Sequence, residues 1–352
     1  MWVALKRLAP PAVFAVLPLV VGVFWVVESA HQGNLGIDFK GELYPEAKLV
    51  LHGHDPFPPP DANLAGGVNR IFPVPAAIAA IPFTLLPAGA AAAVFVALLG
   101  LGVAATLRVM DVTDWRLYGL VFLWPATISA LQVGNITVVL ALLGAVAWRY
   151  RDRRYLPGVA VGLAVALKLI LWPLLFWLAA RGRHRAAAAG LALSVVSWLL
   201  VLPFTSLTDY VHLLENLGNT FAPRSYNVAG LLIQSGAAGL STAKLVGYLV
   251  GAAVLATACL RRSFPLAVVA SILLSPIVWL HYFELLVLPL AAVRPRLSPA
   301  WFVPLVLLFA PGTSGDVRER HIVLGLVVLS VLAVLVEARP ELRPRRLLAR
   351  TV

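Results

Sequence analysis

The amino-acid sequence predicts an all-α polytopic membrane protein, with about 10 to 12 transmembrane helices and short re-entrant helices in one domain. Of its 352 residues, 61% are hydrophobic and only 12% are charged, and the mean hydropathy is +0.89. So few charged side chains would not cover the surface of a soluble globule. Apolar runs of about 20 residues, the length that spans a bilayer, recur without the alternation typical of a membrane β-barrel.

Basic residues lie in short clusters between the apolar runs, and this pattern predicts the topology. The clusters contain 20 of the 28 basic residues and five of the 16 acids. Because positively charged loops stay in the cytoplasm, the clusters mark the cytoplasmic side, and the net charge of +12 does not indicate a nucleic-acid partner. The clusters are Lys6 and Arg7; Arg108 and Arg116; Arg149, Arg151, Arg153 and Arg154; Arg181, Arg183 and Arg185; Arg261 and Arg262; Arg294 and Arg296; and five arginines from Arg339 to Arg350.

The first crossings follow from this rule. Residues 10–28 lead outward, and residues 31–70 form the first extracytoplasmic loop. The next stretch, "FPVPAAIAAIPFTLLP", contains four prolines, which predicts a short or broken helix before a full span at 88–107.

The middle of the chain is predicted to turn twice. Residues 115–131 and 135–149 form an outward and an inward helix joined by a tight turn at "LQVGN". Residues 157–180 lie between two basic clusters, so we expect a hairpin of short helices that turns near Lys168.

The remaining chain alternates in the same way. We expect a span at 186–204, an outer loop, a re-entrant helix at 229–240 and a span at 243–260. Further turns place "WLHYFE" and "PGTSGDVRERH" outside. The domain ends at residue 338, and residues 339–352 form a basic cytoplasmic tail, so both termini lie in the cytoplasm.

Most polar residues outside the basic clusters fall on the outer side of this topology, including 11 of the 16 acids. Polar residues that come from distant loops indicate one extracytoplasmic site above the helices. Ordinary solvated loops are the alternative for any single residue. Asp38, Lys168, His281 and Glu284 lie at helix borders, where an ionisable group is costly unless it is paired or used.

The residue types at these borders suit transfer chemistry. A carboxylate can accept a proton from a sugar hydroxyl, and Lys168, Arg224 or a protonated His281 can neutralise a phosphate leaving group. The "HGHD" stretch at residues 52–55 offers metal ligands, but neither the lone Cys259 nor another histidine completes a set with convincing spacing. No phosphate-binding or dinucleotide-binding glycine pattern occurs, which argues against a nucleotide-driven pump.

Several motifs in this order resemble glycosyltransferase family 87. They are "DFKGELYPEAKLVLHGHDPF", "FPVPAAIAAIPFTLLP", the stretch from "LWPATISALQVGNITVV" to "ALKLILWPLLF", "NVAGLLIQ" and "LLSPIVWLHYFELLVLP". The resemblance runs from about residue 10 to residue 293. The resemblance implies a GT-C-type fold and a donor that is a polyprenyl-phosphate sugar, as in the mannosyl- and arabinofuranosyltransferases of actinobacterial envelopes.

The resemblance also implies roles for matching residues. The aspartate after the first helix, the candidate base of related enzymes, is Asp38, and the histidine of the S-P-x-x-W-x-H-H motif is His281. Glu42 shares a helical face with Asp38 at a spacing of four residues. The candidate site consists of the catalytic residues Asp38 and His281 and the substrate-binding residues Glu42, Tyr44, Gln132, Asn135, Lys168, Arg224, Asn227, Trp279 and Glu284, with no metal.

Some positions depart from the family pattern. Ala229 follows Asn227 where a serine is usual, Gln234 replaces an arginine, and Tyr282 replaces a second histidine. These departures leave the sugar and the acceptor open, together with an altered or lost activity.

The resulting expectation is a glycosyltransferase of the bacterial plasma membrane. It moves a mannosyl or arabinofuranosyl unit from a polyprenyl-phosphate sugar to an envelope glycolipid or polysaccharide, with Asp38 as general base and no further cofactor. A lipid or solute transporter, or flippase, is the competing class, since broken helices and ions at membrane borders also occur there. A noncatalytic scaffold would instead place Asp38 and His281 on distant faces.

Overall fold

A computed structural model describes residues 10–66, 70–310 and 317–338. Within these ranges the chain is almost entirely helical and contains no strand, so the predicted all-α class is confirmed. The predicted tail at 339–352 and part of "PGTSGDVRERH" lie outside the described residues. The α-helices are α1 (Leu17–His31), α2 (Tyr44–Leu51), α3 (Val74–Ala80), α4 (Ala88–Val109), α5 (Trp115–Phe122), α6 (Pro125–Val133), α7 (Thr137–Arg149), α8 (Leu156–Leu167), α9 (Pro173–Ala180), α10 (His184–Leu199), α11 (Leu207–Phe221), α12 (Val228–Gln234), α13 (Leu240–Arg261), α14 (Phe264–Leu273), α15 (Val287–Val293) and α16 (Glu319–Glu337).

Long apolar helices give the protein its membrane-spanning character. Among the described residues, four helices have the length and composition of a span, namely Ala12–His31, Ala88–Val109, Leu240–Arg261 and Glu319–Glu337. The first of these joins a π-helical turn, Ala12–Val16, to α1. Helices α6 and α7 would add a fifth if this pair, bent by 120°, counts as one span.

Among the described residues, five further apolar helical segments are shorter, with 10 to 17 residues. Many of them start with proline in the first turn, where the missing N–H removes no helical hydrogen bond. The proline-rich piece before α4 is such a broken element, since α3 passes into a 3-10 helix at Ile81–Leu85. Helices α8 and α9 are separated at Lys168, as the sequence predicts.

Two outer segments contain helices, and the second of them was expected to be a loop. The chain is helical from residue 37 to residue 51 through a π-helical turn, Phe39–Leu43, that leads into α2. The segment after α10 forms α11, whose N-terminus is capped by Ser206, with its Oγ accepting a hydrogen bond of 3.0 Å from the Asp209 N–H. In α11 the polar residues at helical spacing, which the sequence analysis assigned to a loop, form the outer face of the helix.

The basic loops contact each other, which gathers them at one end of the molecule. Ion pairs join neighbouring loops, and each contributes less than about 1 kcal/mol because at least one partner of each pair is well exposed. The indole of Trp177, at the C-terminal end of α9, also donates to the Arg262 carbonyl over 3.1 Å. The ion pairs that link these loops are Arg149 with Asp111, Arg183 with Asp152, and Arg261 with Glu337.

Helices α8 and α10 pack closely through small residues. A Cβ atom on Gly158 would lie 1.7 Å from the Ala186 carbonyl oxygen, and one on Gly190 would lie 2.5 Å from the Gly158 carbonyl oxygen. Such faces let helix backbones approach in a membrane, where burial of apolar surface does not drive association. This pair therefore forms a rigid support beside Lys168, which directly follows α8.

The turn after α1 meets the turn between α6 and α7 at two glycines. Gly36 and Gly134 both have positive φ, +65° and +69°, and the Gly36 N–H donates to the Gln132 carbonyl over 2.7 Å. A Cβ atom on Gly134 would lie 3.0 Å from the Gly36 Cα and 3.2 Å from the Phe39 Cβ. This close approach places residues 37–42 directly beside Asn135.

Replacing Gly134 with alanine should destabilise the protein more than the same change at Gly182. Both glycines have positive φ, so both variants carry a backbone penalty of about 1–2 kcal/mol. A Cβ atom on Gly182 meets nothing within 4 Å, whereas one on Gly134 crowds Gly36. Thermal unfolding in detergent measures the difference, and equal losses of Tm in the two variants would contradict the close approach.

Candidate active site

A cavity of about 240 Å³ opens between the helices, with a polar end and an apolar wall. Its lining comes from the helix after α1, from the α6–α7 turn, from the break after α8, from α11 and from residues 275–282. The polar end contains Asp38, Glu42, Asn135, Lys168, His281 and Tyr282. Residues spread over most of the sequence thus meet in one place, as the sequence predicts for part of the candidate site.

Asp38 lies at the start of the π-helical turn that precedes α2. Its Oδ2 accepts a hydrogen bond of 2.9 Å from the Asn135 Nδ2. Burial raises the pKa of Asp38, while the hydrogen bond from Asn135 and the charge of Lys168 act in the opposite direction. Asp38 therefore combines the basicity of a desolvated carboxylate with partners that favour its ionised form.

Asn135 is buried and connects the acid to a cation. Its Oδ1 accepts hydrogen bonds from the Thr137 N–H (3.0 Å), the Thr137 hydroxyl (2.7 Å) and the Lys168 Nζ (3.2 Å). Asp38, Asn135 and Lys168 thus form one chain of hydrogen bonds at the polar end of the cavity.

Lys168 occupies the break between α8 and α9. Its backbone is extended (φ −164°, ψ 126°), which ends α8 and turns the residue out of the helix. The Nζ lies 4.3 Å from the centroid of the Tyr282 ring and 5.5 Å from that of Phe72. These aromatic faces hold the ammonium group without neutralising it, so its positive charge is available at the cavity.

Two further carboxyl groups follow Asp38 along the same helix. Glu42 lines the cavity one turn later, and the pKa of Glu42 is raised well above its usual range by burial and by the charges of Asp38 and Glu46. Glu46 is fully buried, and its Oε1 accepts from the Phe72 N–H over 3.0 Å. Glu46 thereby fixes residues 71–73, which line the cavity just before α3, and is a structural acid.

His281 and Glu284 come from a 3-10 helix, Leu280–Leu286, whose side chains are all buried. His281 lines the cavity, and its Nε2 has no hydrogen-bond partner among the described residues. Glu284 accepts a hydrogen bond from the Thr127 hydroxyl and is not part of the cavity lining. The predicted pair is thus divided, with His281 at the site and Glu284 behind it.

Four other predicted binding residues also lie outside the cavity lining. The Tyr44 hydroxyl donates to the Leu86 carbonyl over 2.8 Å, and the Gln132 carbonyl holds the turn at Gly36. Arg224 is exposed at the end of a short 3-10 helix. Asn227 caps α12 by accepting from the Gly230 N–H, and its Nδ2 donates to the Ser275 carbonyl over 3.1 Å. At least three of these residues thus have structural roles in the fold.

The apolar wall was not predicted from the sequence. Tyr210, Leu214, Leu217 and Phe221 of α11 line the cavity, and Phe221 packs edge-to-face on Trp279 with ring centroids 5.5 Å apart. Trp279, a predicted binding residue, is therefore part of this wall. The spacing of these four apolar residues along α11 follows helical periodicity, which is a signal that was readable in the sequence.

The fold and the site define the protein as a polytopic membrane protein with a charged cavity beside an apolar wall. A family model described as glycosyltransferase family 87 matches residues 71–289, which is more than half of the chain. The chain belongs to glycosyltransferase family 87, and it is a membrane glycosyltransferase. The match includes Asn135, Lys168 and His281, while Asp38 precedes it. No curated protein and no solved structure matches the chain.

Replacing Asn227 with alanine should lower the thermal stability, since the variant loses the cap of α12 and the bonds to the segment at Ser275. Loss of the cap alone costs about 1 kcal/mol. Asn227→Ser keeps a capping oxygen and should recover part of the loss in a thermal unfolding experiment. A serine variant as unstable as the alanine variant would contradict the capping role.

Proposed function

We propose that the protein transfers a mannosyl or arabinofuranosyl unit from a polyprenyl-phosphate sugar to a hydroxyl group of an envelope glycolipid or polysaccharide. The observation that carries this proposal is the joint position of a carboxylate and an ammonium group at one end of a cavity with an apolar wall. The carboxylate suits a proton acceptor, the ammonium group suits a phosphate, and the wall suits an isoprenoid chain. Membership of a glycosyltransferase family supports the reaction type.

Asp38 is the general base of the proposed reaction. It accepts the proton of the acceptor hydroxyl while the hydroxyl oxygen forms a bond to the anomeric carbon of the donor. The bond from that carbon to the phosphate oxygen breaks, and its electron pair leaves with the polyprenyl phosphate. A single direct displacement inverts the configuration at the anomeric carbon.

Lys168 and His281 serve the leaving group in this proposal. The Lys168 ammonium group balances the negative charge that grows on the phosphate oxygen as the bond breaks. His281 lines the same cavity and can donate a hydrogen bond from its imidazole. Arg224, the third cation considered from the sequence, is exposed and outside the cavity lining, so we do not include it.

In this proposal the apolar wall binds the isoprenoid chain of the donor. Leu214, Leu217 and Phe221 of α11 belong with Ile277 to one apolar cluster, and all four line the cavity that also contains the polar groups. An isoprenoid chain on this surface would leave its phosphate near Lys168. The transporter alternative has no comparable support, because the family match is to glycosyltransferases.

The proposed location is the bacterial plasma membrane, with both termini in the cytoplasm and the cavity on the outer side. The gathering of basic loops at one end of the molecule supports this orientation. A lipid-linked donor and an envelope acceptor would then meet outside the cytoplasm.

Replacing Asp38 with asparagine should abolish transfer, because the amide cannot accept the proton. Loss of a general base lowers turnover by about 10²–10⁴-fold. The measurement is transfer by membranes supplied with radiolabelled polyprenyl-phosphate mannose or arabinose. Asp55→Asn is a matched control, since Asp55 follows α2 and accepts a hydrogen bond from the Phe57 N–H that asparagine can also accept. Turnover by the Asp38 variant at the level of this control would refute the proposal.

The orientation can be tested with single cysteines. In a variant that lacks Cys259, cysteine at exposed His54 should react with a membrane-impermeant maleimide in intact cells. Cysteine at exposed Arg153 should react only after the cells are permeabilised. Labelling of position 153 and not of position 54 in intact cells would mean that the cavity faces the cytoplasm.

A further inference from the structure

The side chain of Asn135 stands between the two charged groups of the cavity. It is 2% exposed, so protein atoms decide its hydrogen bonds. The Thr137 N–H and hydroxyl both donate to one atom of the amide, which identifies that atom as the oxygen. The amide nitrogen must then face Asp38, to which it donates over 2.9 Å.

This orientation leaves Asn135 without capacity for a substrate at its oxygen. Oδ1 accepts from Lys168 in addition to the two donors of Thr137. Asn135 was expected to bind the substrate. Its contacts are instead to Asp38 and Lys168, the two groups that would act on the substrate.

We infer that Asn135 is a positioning residue that links Asp38 to Lys168 through hydrogen bonds and keeps Asp38 the ionised carboxyl group of the cavity. Asp38 and Lys168 form no direct ion pair in the described structure, although only one amide lies between them. The Asn135 amide is therefore the group that supports the charge on Asp38 with a hydrogen bond. The inference rests on the proposed role of Asp38 as base.

Comparison with Glu42 shows what the Asn135 bridge, the hydrogen bonds that link Asp38 to Lys168 through Asn135, provides to Asp38. Glu42 lines the same cavity from the next helical turn, but no hydrogen bond supports its ionised form as Asn135 supports that of Asp38. Two neighbouring carboxyl groups in different environments tend to ionise separately, and the one that accepts hydrogen bonds stays charged. Asp38 has the amide donor of Asn135, so Glu42 is the group that holds a proton.

The surroundings of Asp38 contain other titratable groups, all of which the experiment leaves in place. Glu42 and Glu46 lie on its own helix. The other elements around the cavity contribute Lys168, His281, Tyr282, Tyr210 and Tyr226.

Labelling with dicyclohexylcarbodiimide tests the bridge without relying on catalysis. This reagent adds to protonated carboxyl groups in apolar surroundings, and fragment mass spectra separate labelling at Asp38 from labelling at Glu42. The extent of labelling at Asp38 is measured against pH in the purified full-length protein. Asn135→Asp keeps an oxygen for Thr137 and Lys168 but replaces the donor to Asp38 with a negative charge. The pH of half-labelling should rise by about one unit or more.

A second variant and a matched control complete the experiment. Asn135→Ala removes the donor without adding charge and should shift the midpoint in the same direction. Asn219→Ala is the control, because Asn219 also accepts from a lysine, Lys244, over 2.7 Å but lies outside the cavity lining. Its midpoint should equal that of the wild type.

Thr137→Val covers the case in which the Asn135 variants fail to fold. It leaves Asn135 in place but removes one of the two donors that orient the amide, so a smaller upward shift is expected. The inference is overturned if a variant that has lost the Asn135 amide keeps both the wild-type Tm and the wild-type pH of half-labelling at Asp38.

The two proposals fail in distinguishable ways. If Asp38→Asn abolishes transfer while the Asn135 variants keep the wild-type midpoint, the bridge is wrong and the function stands. If the midpoint rises while Asp38→Asn still transfers sugar, the electrostatic role of Asn135 is supported, but Asp38 is not the base and the catalytic part of the inference falls with it.

Discussion

The contact between the turn at Gly36 and the turn at Gly134 determines the rest of the site. Asp38 lies outside the long helices and depends on this contact for its place. The backbones approach so closely that no side chain fits between them, and the Gly36 N–H is bonded to the Gln132 carbonyl. Phe39, which is fully buried, then fixes the helix by stacking on Phe95 with ring centroids 4.4 Å apart. The acid is therefore held by backbone and packing on both sides.

The same arrangement explains how charged groups are tolerated in an apolar protein. A buried charge is destabilising unless it is paired or hydrogen-bonded. Here the charge of Asp38 meets an amide donor, and that of Lys168 meets an amide oxygen and two aromatic faces. Neither charge is fully neutralised by a direct partner. Such incomplete pairing lowers stability, but it leaves a carboxylate and an ammonium group accessible at the cavity.

The sequence predicted the helices and helix breaks that are determined by nearby residues. It did not predict the side-chain roles that depend on hydrogen bonds to distant parts of the chain. Apolar length located the long helices, and Lys168 between two basic clusters located the break after α8. Asp38, Asn135, Lys168 and His281 were also predicted as site residues, and they meet in one cavity. The structural uses of other residues were not readable, because their partners are backbone carbonyls far along the chain, such as Leu86 for Tyr44.

Helix α11 was missed for a different reason. The segment contains enough charged and amide residues to read as a solvated loop, although Tyr210, Leu214, Leu217 and Phe221 follow helical spacing. Hydrophobic periodicity predicts a helix only if a surface exists to cover its apolar face. Here that surface is the cavity together with Ile277 and Trp279, which come from more than 50 residues further along the chain.

The choice of base can be argued from the cavity even though Asp38 precedes the part of the chain that matches the family model. Within residues 71–289 the acids are Asp111, Asp114, Asp152, Asp209, Glu215 and Glu284. None of them lines the cavity. Asp111, Asp114 and Asp152 are paired with arginines of the basic loops, and Glu284 is buried against Thr127. If transfer takes place beside Lys168, the carboxylate that accepts the proton must come from residues 37–42. Of the two acids there, Asp38 is the one whose ionised form Asn135 supports.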